Sequence, residues 1–115
     1  MLRIFGAVFF AFLLSVDGRA ATGDEVASWK REFPNVGGEA SFEVRNLVSA
    51  YEAEVLRITP ENIASAITRL KERAQRDISD AVLATKAGES PSAQAAREKH
   101  RWLAGRLLPF LGKMG

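Results

Sequence analysis

Apolar residues recur along most of the chain at alternating spacings of four and three, the spacing of an α-helix that buries one face. The clearest stripe comprises Val44, Val48, Tyr51, Val55 and Ile58. No stretch alternates apolar and polar side chains as a half-buried strand would. The pattern therefore predicts an all-α protein.

Proline, glycine and small polar residues indicate where the predicted helices begin and end. A segment rich in proline and glycine, 34–38, interrupts the first stripe, and Thr59 and Ser90 each precede a proline as an N-cap precedes the first helical position. The connecting loops are short, which favours antiparallel neighbours, so we expect a small antiparallel helical bundle with three main helices and a short N-terminal one. The predicted helices span about 24–33, 41–58, 60–87 and 91–108.

The start of the chain carries the three-part pattern of a secretory signal peptide. Arg3 supplies the positive charge, and residues 4–16 form an apolar run. Gly18 and Ala20 are the small residues expected before a cut that follows Ala20, although a cut after Gly18 also fits. The predicted division is therefore a signal peptide over 1–20 and a helical domain over 21–115, secreted to the extracellular space or the periplasm.

The same apolar run leaves a second interpretation open, in which residues 4–16 stay in place as a membrane anchor. A helix of that length rises about 20 Å, whereas the hydrocarbon core of a bilayer is about 30 Å thick. Asp17 and Arg19 prevent the run from extending. We therefore favour cleavage and keep, as the alternative, a membrane-anchored small structural or accessory subunit.

The sequence offers no arrangement of side chains that indicates catalysis, a metal or a cofactor. The chain has no cysteine, and His100, its only histidine, lies among basic residues rather than beside a carboxylate. Acidic pairs such as Asp77 and Asp80 fall within a predicted helix and not within a calcium-binding loop. We therefore expect a protein that is not an enzyme, that carries no cofactor and that works by binding.

Charge is distributed unevenly along the chain, although the net charge is only +2. Residues 21–61 carry four basic and eight acidic side chains, whereas residues 90–115 carry five basic and one acidic. Two explanations fit an acidic half followed by a basic tail equally well. The two parts of the chain pair with each other, or the basic tail binds an acidic partner. Nucleic acid is not expected as the partner, because Glu72, Asp77 and Asp80 alternate with the arginines of the third helix.

The C-terminal stretch is the segment that best fits a role in binding a protein or lipid surface. Its basic groups lie beside tryptophan, leucine and phenylalanine, a composition typical of helices at a membrane interface. Leu103 and Leu107, four apart, fit the core stripe of the last helix as well, and Gly105 and Pro109 are expected to loosen or kink that helix. The predicted partner- or lipid-binding residues are Arg101, Trp102, Arg106, Leu107, Leu108, Phe110 and Leu111.

Overall fold

Helices alone build the part of the chain that the computed structural model describes, which is residues 21–86, 88 and 90–115. The predicted all-α class is confirmed, and none of these helices has the length and apolar character needed to cross a bilayer. The predicted signal peptide lies outside the described residues. The helices are α1 (Gly23–Lys30), α2 (Phe42–Leu56), α3 (Ile63–Thr85), α4 (Pro91–Trp102) and α5 (Leu108–Gly112), with a π turn (Leu103–Leu107) between the last two.

Reciprocal capping fixes the start of α1. The hydroxyl of Thr22 accepts a hydrogen bond from the backbone N–H of Glu25, whose carboxylate accepts one from the N–H of Thr22. The helix ends at Lys30, earlier than residue 33, where the apolar spacing predicts its end. Lys30 then donates to the carbonyls of Leu56 at 3.1 Å and Ile58 at 2.9 Å, so it stabilises the negative end of α2.

The start of α3 differs from its prediction. The regular helix begins at Ile63 rather than at Pro60, because the residues before it form a closed turn. The N–H of Thr59 donates to the side-chain oxygen of Asn62 at 2.8 Å, and the N–H of Asn62 donates to the Thr59 hydroxyl at 3.3 Å. These mutual bonds hold Asn62 at φ −110° and ψ 2°, outside the helical region, and so delay the helix.

The C-terminal helix runs without a break through α4, the π turn and α5. Ser90 accepts a hydrogen bond from the N–H of Ala93 at 3.1 Å and so caps its start. In the π turn, the N–H of Leu108 donates to the carbonyl of Leu103, five residues back instead of four. Pro109 has no N–H to offer the preceding turn, which weakens regular α-helical bonding here. The helix nevertheless continues to Gly112, beyond the predicted end at residue 108.

The apolar stripes of α2 and α3 form one core with the C-terminal helix. Every member of the predicted α2 stripe is at most 2% exposed, and no polar or charged residue of the described chain is fully buried. Because these stripes and the C-terminal helix are buried in one cluster, their burial does not require a partner. The largest fully buried side chains are Tyr51, Ile58, Leu70, Leu103, Leu107, Leu111, Val48 and Val55.

Two tryptophans attach the C-terminal helix to α1 and to the segment after it. Trp29 stacks on Phe110 with ring centroids 4.5 Å apart, and its indole N–H donates to the Phe110 carbonyl at 3.0 Å. The indole N–H of Trp102 donates to the carbonyl of Pro34 at 2.7 Å. Both buried indoles therefore have their polar atom satisfied while their rings fill the core.

Candidate partner-binding site

The residues predicted to bind a partner fall into two groups in the structure. Four apolar members lie in the core: Trp102, Leu107, Phe110 and Leu111. Leu108 is half-buried, and the two basic members, Arg101 and Arg106, are exposed. In this conformation a partner can therefore reach the arginines, whereas most of the apolar side chains serve the fold.

The π turn explains why one core absorbs so many apolar residues of this segment. In an α-helix, positions four apart are offset by about 40°, so the third residue of such a series lies about 80° from the first. The wider π turn reduces that drift. Leu103, Leu107 and Leu111 are accordingly all fully buried. Three leucines of this segment therefore lie in the core, and Leu108 is half-buried beside them.

A groove lies beside the exposed arginines, between the C-terminal helix and the segment that leads into α2. We call it the basic groove. One side is formed by Val36, Ala40 and Val44, and its volume is about 410 Å³. That volume is within the range typical of sites for one small molecule. The other side is formed by Glu98, Arg101, Trp102, Gly105 and Arg106.

The π turn also explains how Arg101 and Arg106 come to line the same groove. Residues five apart in an α-helix point about 140° away from each other. The π turn lies between these two positions and includes Arg106. Because each π turn takes up more residues, positions five apart are closer to alignment there.

The arginines of the basic groove are not used in ion pairs within the described part of the chain. Ion pairs there involve other basic residues, such as Arg73 with Asp77 at 3.9 Å and Lys113 with a glutamate of the α1–α2 segment at 2.8 Å. Glu98 shares the lining with Arg101 and Arg106, so the groove keeps one net positive charge. The result is a cationic edge beside an apolar wall.

A second depression, between α2, α3 and α4, has a structural explanation. It is lined by Asp77, Asp80 and Lys99, among others. The hydroxyl of Tyr51 donates to Asp77 at 2.6 Å, and Arg73 contacts the same carboxylate and lies over the Tyr51 ring at 4.8 Å. Burial raises the pKa of Tyr51 well above its ordinary range, and the bond to Asp77 raises it further. The described residues contain no group of three potential metal ligands.

Several residues of the basic groove could not be found from the sequence. Val36 and Ala40 belong to a connecting segment without periodicity, and Val44 belongs to the core stripe of α2. Only the tertiary contact between this segment and residues 98–106 makes them part of a common wall. Gly105 was expected to loosen the helix, whereas in the structure it also opens the groove.

Comparison with protein-family models, curated proteins and solved structures finds no match to this chain.

Proposed function

We propose that this chain is an exported, non-enzymatic binding protein. In this proposal the signal peptide over 1–20 is removed, and the released domain is a small antiparallel helical bundle. The apolar run over 4–16, with its positive start and small residues before Ala21, supports export. The single core that these stripes form with the C-terminal helix supports a domain that folds without disulfides. Small exported proteins often depend on disulfides instead.

The binding surface in this proposal is the basic side of the C-terminal helix, and its partner is an acidic lipid or protein surface. The observation that carries the proposal is that Arg101 and Arg106 are exposed, share one groove and have no ionic partner among the described residues. In this proposal charge attracts the domain to the acidic surface, and the domain does not insert into a membrane, because residues such as Trp102 and Leu107 are buried in the core.

Charge reversal tests this surface. We expect the protein to co-sediment with vesicles that contain an acidic phospholipid or to be retained on immobilised polyglutamate, which separates a lipid from a polypeptide partner. Arg101→Glu with Arg106→Glu should weaken that binding at least about tenfold, since each basic group near an anionic surface contributes about 1 kcal/mol. Arg31→Glu with Arg76→Glu makes the same charge change at exposed positions elsewhere and should bind as the wild type does. Equal loss in both variants, or no binding to either probe, would refute the proposed surface.

Export has its own test, which does not depend on the partner. N-terminal sequencing of the protein released by the host should begin near Ala21. A chain that keeps Met1 and stays in the membrane fraction would replace the proposal with the membrane-anchored subunit, whose anchor is residues 4–16.

A further inference from the structure

We infer that the basic groove binds one small anionic amphiphile, a medium-chain fatty acid in its carboxylate form. The inference rests on the proposed function, because Arg101 and Arg106 serve both. It goes further in naming a single soluble ligand that enters the groove, rather than a surface that lies against it. Three features of the groove carry it: its apolar wall, the open space at Gly105 and its charge.

The apolar wall suits an alkyl chain. Val36 and Ala40 are half-buried, so each presents part of its side chain to the groove, and Val44 lies behind them. Trp102, which is 3% exposed, lines the opposite side. Most of the exposed lining is apolar, and a volume of about 410 Å³ matches one small ligand better than a segment of a folded protein.

The side of the groove formed by the C-terminal helix has an open space at Gly105. A Cβ atom placed there meets nothing within 4 Å, so no neighbouring side chain fills the space. Gly105 belongs to the π turn, and π turns occur frequently at functional sites. Together with the apolar wall, this opening gives the ligand chain a place to lie.

The charged edge selects the head group. A guanidinium pairs with a carboxylate through two parallel hydrogen bonds, and both Arg101 and Arg106 are available for this. Glu98 leaves the lining with one net positive charge, which matches a monoanion better than a phosphate or another polyanion. The indole N–H of Trp102 already bonds to the carbonyl of Pro34, so recognition of the head group falls to the arginines.

Decanoate is the probe that tests the inference. It is titrated, below the concentration at which it forms micelles, into the full chain in the form that the host releases. We expect saturable one-to-one binding by calorimetry. In a ¹H–¹⁵N NMR spectrum the indole N–H signal of Trp102 should move, while that of Trp29, the other tryptophan, should stay. Decanol has the same alkyl chain without the charge and should bind at least tenfold more weakly.

A glycine pair supplies the matched variants. Gly105→Leu places a side chain in the open space at this position and should weaken decanoate binding at least tenfold. Gly112→Leu makes the same change at an exposed helical glycine outside the groove lining, where a Cβ also meets open space, and should leave binding unchanged. Gly105→Leu keeps both arginines and should still bind acidic vesicles or polyglutamate. Circular dichroism of both variants checks that each remains folded.

The outcomes separate this inference from the proposed function. Binding to acidic vesicles or polyglutamate without any decanoate effect on Trp102 overturns the inference and leaves the proposed function standing. Decanoate binding without vesicle or polyglutamate binding supports the inference and overturns the broader surface proposal. Equal binding of decanol and decanoate by the wild type, or undiminished decanoate binding by folded Gly105→Leu, overturns the inference regardless of how the other variants behave.

Discussion

At the scale of single residues, Tyr51 shows how this core accommodates one polar atom. Its ring is fully buried, yet its hydroxyl reaches Asp77 at 2.6 Å, and that carboxylate is only partly covered. Arg73 lies over the ring at 4.8 Å and also contacts Asp77. The bond joins α2 to α3, so removing the hydroxyl should weaken the contact between the two helices.

We expect Tyr51→Phe to lower the free energy of unfolding by about 1–2 kcal/mol at neutral pH. This loss is smaller than the loss of a fully buried hydrogen bond to a charged group, because Asp77 is partly exposed. Urea denaturation of the two proteins measures this difference. Leu83→Ala, a change at an exposed apolar residue of α3, is the control and should have little effect. Identical curves for Tyr51→Phe and the wild type would show that the bond to Asp77 contributes nothing.

The same residue predicts a response to alkali. The pKa of Tyr51 is raised in the folded state, so between its unfolded and folded values the unfolded chain loses a proton that the native chain keeps. The stabilisation of the fold by Tyr51 is therefore complete below about pH 10, the pKa of tyrosine in the unfolded chain. As the pH rises further, this stabilisation declines by at most about 1.4 kcal/mol per pH unit. Denaturation at about pH 9 and about pH 11 should show the advantage over Tyr51→Phe shrinking at the higher value.

Composition predicts a binding segment at the C-terminus but does not show which of its side chains are exposed. Arg101 and Trp102 are adjacent in sequence and line the same groove, yet Arg101 is exposed whereas Trp102 is buried, with only 3% of its surface exposed. Helical spacing alone cannot separate the solvent face from the core face here, because the π turn changes the angle between positions 103 and 107. Most of the apolar site residues predicted from composition consequently lie in the core.

At the scale of elements, the π turn acts as a one-residue insertion in an otherwise regular helix. It begins at Leu103 and ends at Leu107, and Ala104 within it is exposed. Removing one residue from a π turn restores the i to i+4 hydrogen bonds and leaves the flanking turns nearly in register. The local geometry therefore predicts that the core tolerates a deletion in the π turn better than a deletion within α4.

Deletion of Ala104 should leave the free energy of unfolding within about 1 kcal/mol of the wild type, because the π turn becomes a regular turn. Deletion of His100, an equally exposed residue in α4, should cost more than about 3 kcal/mol, since it rotates Trp102 and Leu103 by about 100° out of the core. Thermal and urea unfolding followed by circular dichroism compare the two. Equal damage from both deletions would contradict this account of the turn.

The helix caps could be predicted from the sequence where one side chain does the capping. Ser90 followed by proline is such a case, and its hydroxyl accepts from the N–H of Ala93 as expected. The turn before α3 could not be predicted, because it depends on Thr59 and Asn62 bonding each other. Proline after threonine is compatible with a helix that begins at the proline and also with a closed turn that delays the helix. Only the closure of the turn decides between these two geometries.

Ser90→Ala should lower the free energy of unfolding by about 1 kcal/mol through loss of the cap on α4. Ser92→Ala, two residues into the same helix at an exposed position, should change it by less than about 0.5 kcal/mol. Urea denaturation at neutral pH suffices to measure both. A loss from Ser92→Ala as large as that from Ser90→Ala would argue against the capping role.

At the scale of the whole molecule, the sequence predicted the all-helical class because the stripes of α2 and α3 are long and regular. It could not predict which helices become neighbours, since stripes of equal spacing are interchangeable partners. The contacts that decide this, such as Trp29 with Phe110 and Trp102 with Pro34, join parts of the chain far apart in sequence. The basic groove depends on the same long-range closure.

A chain truncated after Pro109 should lose its cooperative thermal transition. The truncated chain lacks Phe110, which stacks on Trp29, and Leu111, which is fully buried. The loss of each such side chain costs about 2–5 kcal/mol, and the two losses together approach the whole stability of a small domain. Lys113→Ala is the control, because its pair with Glu32 is largely exposed and should contribute less than about 1 kcal/mol. Scanning calorimetry distinguishes the two results.

The stacking of Trp29 on Phe110 also sets the order of events while the chain is being made. Phe110 follows Trp29 by 81 residues. At about 5–20 residues per second, a ribosome delivers it roughly 4–16 s after the tryptophan. For that interval the nascent polypeptide lacks the ring that stacks on its first indole, so the part of the core that depends on this contact cannot close before Phe110 is delivered. A polypeptide in that state is one that a translocation pore can thread.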